Sequence, residues 1–120
     1  MEFFFTDPNI ERLAPALTRL LELKAQPYPD GRRLRVALEL TPFQQRPDIE
    51  LTLKDSSGEP AAAASIVEPA GWKLEVTLHI RAADPTGAYR LVASLAYADL
   101  GEVDHREIAV EIPTPTDAND

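Results

Sequence analysis

Residues 71–81 read Gly-Trp-Lys-Leu-Glu-Val-Thr-Leu-His-Ile-Arg, the longest strict alternation in the chain. Trp72, Leu74, Val76, Leu78 and Ile80 form one row, and Lys73, Glu75, Thr77, His79 and Arg81 form the other. Successive side chains leave opposite faces of a β-strand, so an apolar row of period two marks a strand lying against a core. The same period recurs on both sides of this stretch. Upstream, Leu34, Val36, Leu38 and Leu40 alternate with arginines, Ala37 and Glu39, and Ile49, Leu51 and Leu53 alternate with Glu50, Thr52 and Lys54. Downstream come Tyr89, Leu91, Ala93, Leu95 and Tyr97, then Ile108, Val110 and Ile112. Leu21, Leu23 and Ala25 suggest a shorter first strand, and Ala61 to Val67 a weaker one, since alanine is a poor strand former.

Turn-forming residues separate most of these runs: Pro29-Asp30-Gly31, Ser57-Gly58, Pro69-Ala70-Gly71 and Asp84-Pro85-Thr86-Gly87. Seven short strands with turn signals between them predict an all-β, seven-stranded antiparallel sandwich. Too few helical patterns are present for the crossovers of a parallel sheet. One short helical turn is expected near Pro8 to Leu13, capped by Asp7 and stopped by Pro15. The chain divides into an N-terminal segment (1–17) packing on the sandwich, the sandwich itself (18–113) and a polar tail (114–120) expected to be disordered.

The stretch Asp84-Pro85-Thr86-Gly87-Ala88-Tyr89-Arg90-Leu91 resembles immunoglobulin-like and fibronectin-III-like sandwiches, which often place Gly-x-Tyr at the start of the sixth strand. The resemblance implies that Gly87 and Tyr89 are structural, with the Tyr89 hydroxyl bonded back to the chain. It also implies strands one, two and five in one sheet and three, four, six and seven in the other. It carries no function.

Composition narrows the partners. The net charge is -8, which disfavours nucleic acid and anionic membranes. No apolar run approaches the ~18 residues of a membrane span. Cysteine is absent, so disulfides and thiol chemistry are excluded, and a reducing, cytoplasmic setting is expected. Phe3, Phe4 and Phe5 follow Glu2 and stop at Thr6-Asp7-Pro8. That run is too short and carries the wrong charge for an export signal, so it is expected in the folded body.

The assumed topology gathers candidate contact residues at one end: Phe3, Phe4, Phe5, Phe43, Arg46, Trp72 and His105. Aromatic and arginine anchors on loops suit a binding surface, although the same aromatics could simply close the core. The outer face of the second sheet, with Thr52, Val92, Ser94, Ala96, Ala109 and the alanines of 61–64, reads as small and weakly charged, suited to self-association. Asp99, Glu102 and Asp104, read as an acidic loop, are the candidate metal ligands. No nucleophile elbow, phosphate loop, dinucleotide fingerprint or zinc motif is present, and no cofactor is implied. The expectation is therefore a small intracellular, non-catalytic protein-interaction or assembly module, binding a protein partner or a second copy of itself. A small-ligand or calcium module using the loop end is the alternative.

Overall fold

The computed structural model describes residues 11–67 and 69–114. A 3-10 turn, Pro15–Leu17, leads into seven strands: β1 (Leu20–Pro27), β2 (Arg33–Leu40), β3 (Asp48–Lys54), β4 (Pro60–Val67), β5 (Lys73–His79), β6 (Gly87–Tyr97) and β7 (Gly101–Ile112). They form two antiparallel sheets, ordered β1-β2-β5 and β4-β3-β6-β7. The sandwich and its sheet partition match the expectation from sequence.

The core is built by the apolar rows that the alternation marks. Leu34, Val36 and Leu40 from β2 meet Ile49, Leu51 and Leu53 from β3 and Leu91 and Leu95 from β6, all fully buried. Each such leucine or isoleucine contributes about 1.5–3 kcal/mol through removal of its side chain from water. On the outer face of the first sheet, Arg35 approaches Glu75 on the neighbouring strand at 3.9 Å. Both are half exposed, so this pair adds little stability.

Three local readings change. First, β1 carries a bulge between Leu20 and Glu22. The extra residue turns Leu21 outward, 49% exposed, and buries Leu20 in its place. Second, Pro15 opens a helical turn instead of ending one. Its fixed φ and missing N–H suit a first helical position. Leu13, expected at a helix end, instead forms a parallel bridge with Phe43. The rest of the expected helix, like Phe3, Phe4 and Phe5 and all of the tail beyond Thr114, lies outside the described residues.

Third, β7 starts at Gly101, so residues 101–107 are strand and not loop. The β6–β7 connection is a tight turn in which the Leu100 N–H donates to the Tyr97 carbonyl at 3.1 Å. Gly101, at φ 77°, provides the left-handed residue that closes it. The outer face of the second sheet is consequently more charged than expected. Glu50 accepts a hydrogen bond from Ser65 (2.7 Å), and Glu107 pairs with Arg90 (3.4 Å).

Candidate functional site at the loop end

Contacts confirm that the start of β1, the β2–β3 loop, the approach to β5 and the β6–β7 turn share one end. The Thr41 N–H donates to the Arg19 carbonyl (2.9 Å), and the Leu40 N–H to the Trp72 carbonyl (2.8 Å). Leu13 and Gln44 complete the bridge beside Phe43, with the Gln44 N–H donating to the Leu13 carbonyl at 2.9 Å.

Phe43 and Trp72 do meet. Their ring centroids are 6.0 Å apart and the planes cross at 89°, an edge-to-face pair. Only 6% of Phe43 and 8% of Trp72 is exposed, so they close the end of the core and offer a partner almost no surface. The cation over the indole is that of Arg12, 5.6 Å from the ring centroid. Sequence reading missed Arg12 because its neighbour in space, Trp72, lies far along the chain, just before β5. Arg46 is exposed on the β2–β3 loop.

The candidate metal ligands do not converge. Residues 102 and 104 would share one face of a regular strand, but β7 has a register shift here: Glu102 pairs with Ala96 and Asp104 with Leu95, which leaves Val103 as the extra residue. Glu102 therefore lies on the outer face, where it accepts a hydrogen bond from Ser94 (2.7 Å) and approaches His105 Nδ1 (3.3 Å). Asp104 turns toward β1 and accepts the Leu20 N–H at 2.9 Å. Asp99 is exposed in the turn. No group of three or more histidine, aspartate or glutamate side chains capable of holding a metal ion occurs among the described residues.

The hydroxyl tether sits at the opposite end of β6 from where the resemblance implies it. Tyr89 is buried, and burial raises its phenol pKa, with the nearby Asp55 and Asp84 carboxylates adding to the effect. Its hydroxyl makes no hydrogen bond among the described residues. Tyr97 instead donates to the Gln45 carbonyl at 2.7 Å and lies 3.2 Å from the fully buried Thr18 hydroxyl, which donates to the Ala14 carbonyl. Gly87 has φ 137°, a conformation nearly closed to other residues, and its place at the start of β6 follows from that. Tyr97→Phe should cost about 1–2 kcal/mol by removing the bond to the Gln45 carbonyl and the buried contact with the Thr18 hydroxyl, whereas Tyr89→Phe should be nearly neutral. Urea denaturation of the two variants separates these outcomes.

No protein-family model matches the sequence, and no curated protein matches it. Solved structures do match the fold. A glycosyl hydrolase family 2 member from Bacteroides cellulosilyticus superposes with a TM-score of 0.59 at 15% identity, over 79% of this chain and 15% of that one. The β-glucuronidase from Ruminococcus gnavus, in complex with D-glucaro 1,5-lactone, superposes with a TM-score of 0.57 at 18% identity, over 80% of this chain and 16% of that one. The chain thus spans about one-sixth of the length of these enzymes. This overturns the expectation of a free-standing interaction module: in these matches the sandwich is a minor part of a much longer glycosidase chain. At this level of identity the likeness establishes an architecture, a two-sheet sandwich of the kind those hydrolases contain.

Proposed function

We propose that the chain is an accessory sandwich domain of a glycoside hydrolase, bracing a catalytic domain without cleaving the glycosidic bond itself. The observation that carries this reading is the shared sandwich, which corresponds to 15% and 16% of the two hydrolase chains described above. The chemistry of the loop end supports the accessory role. Glycoside cleavage commonly uses two carboxyl groups facing a shared substrate, roughly 5–10 Å apart. Here the Asp104 carboxylate is engaged by a backbone N–H between the sheets, and Glu102 is engaged by Ser94 on an outer face. The aromatic pair is almost wholly buried and closes the core.

The test compares the native assembly containing this chain with the isolated 120-residue chain, using a panel of nitrophenyl glycosides. Release of nitrophenol by the native assembly, with none from the isolated chain, is expected. An inactive native assembly overturns the reading, and so does turnover by the isolated chain.

A further inference from the structure

The two sheets leave four edge strands, and they are protected unequally. An edge strand exposes a row of unpaired backbone N–H and C=O groups, which natural proteins guard with charged side chains. Edge β1 carries Glu22 and Lys24, β5 carries Lys73, Glu75 and His79, and β7 carries Glu102, Asp104, Arg106, Glu107 and Glu111. Edge β4 pairs only with β3; Pro60 guards its first position, but no residue from Ala61 to Val67 is charged. Val67 at its end is 69% exposed.

A groove of about 450 Å³ runs beside this edge, between β4 and β5. On the β5 side it is lined by Thr77, Leu78, His79 and Arg81, and on the β4 side by the small residues 60–63. Just beyond β5, the Arg81 N–H donates to the Ala61 carbonyl at 3.3 Å and ties the two sides of the groove together. Thr77 is engaged with the Tyr28 hydroxyl (3.3 Å), and Arg33, opposite His79 in register, is held by Asp30 (2.7 Å). The side chains of His79 and Arg81 are exposed and make no hydrogen bond or ion pair among the described residues. The nearest acid along β5, Glu75, lies on the far side of Thr77 and faces Arg35.

We propose that this edge binds an extended acidic peptide segment, which adds to β4 as a further strand and directs carboxylates at Arg81 and His79. Backbone pairing with β4 would supply affinity, and the Arg81 guanidinium, with the His79 imidazole as a further N–H donor, would supply selectivity, as in other strand-addition interfaces. Local charge governs such a contact despite the net charge of -8, because screening confines each charge to about 10 Å. A second copy of the chain fits less well. Two-fold pairing of β4 with itself would bring two Arg81 guanidinium groups to one cleft. This inference stands independently of the glycosidase reading.

The probe is a short capped peptide alternating valine with glutamate, compared with its valine–lysine counterpart. With the full chain, the glutamate peptide should slow backbone hydrogen exchange along β4. The double variant His79→Glu, Arg81→Glu should weaken binding roughly tenfold or more while leaving the unfolding midpoint unchanged. Failure of the glutamate peptide to bind overturns the proposal. Equal binding of the lysine peptide, or protection mapped away from β4, overturns it as well. Concentration-dependent protection of β4 without peptide, together with a dimer in sedimentation, would assign the edge to self-pairing instead.

Discussion

Trp72→Ala is expected to lower stability by about 3–5 kcal/mol, from the loss of a buried aromatic and the cavity left behind. Trp72 is 8% exposed, meets Phe43 edge-on at 6.0 Å and lies under the Arg12 guanidinium. A domain of this size has only about 5–15 kcal/mol in total, so the variant should be largely unfolded in mild urea. The measurement is chemical denaturation followed by far-ultraviolet circular dichroism, because the variant lacks its tryptophan signal. A change below about 0.5 kcal/mol, the range of ordinary surface substitutions, would return Trp72 to the role of a contact residue.

Asp104→Ala should cost about 2–3 kcal/mol. The carboxylate accepts the N–H of Leu20, itself 2% exposed, across the gap between the two sheets. Removing it takes the acceptor from the Leu20 N–H at the β1 bulge, a largely buried position. Asp104→Asn keeps an acceptor oxygen and should lose only part of this, since a charge-assisted bond becomes a neutral one. Glu102→Ala, two residues away, should stay within about 0.5 kcal/mol because its partners are exposed. If the three variants behave alike, Asp104 does not join the sheets in the way the geometry indicates.

The contrast between Glu102 and Asp104 shows where the sequence stopped being legible. Both stand in a short acidic run beside a glycine, which reads equally well as a loop, a metal site or a strand end. One extra residue at Val103 sends the two carboxylates to different sides of the strand, and nothing local in the sequence marks it. Leu21 was misassigned for the same reason: alternation assumes an unbroken register, and a bulge reverses the face of every residue beyond it. Tyr89 and Tyr97 both lie on the inward row of β6. Which hydroxyl finds an acceptor depends on whether a loop from another strand arrives there, and the β2–β3 loop reaches Tyr97 through the Gln45 carbonyl.

The resemblance of residues 84–91 to immunoglobulin-like sandwiches implied which strands share a sheet; the sequence by itself determined that this is an antiparallel sandwich and which rows form the core. Those properties rest on side-chain period and turn chemistry, both of which act between near neighbours. The tertiary structure alone decided the rest. It turned the aromatic pair at the loop end from a binding surface into a lid on the core, and it dispersed the acidic run. It also set the uncharged edge of β4 beside Arg81 and His79. Each of these depends on segments far apart in the chain meeting in space, at a distance and orientation that no local pattern encodes.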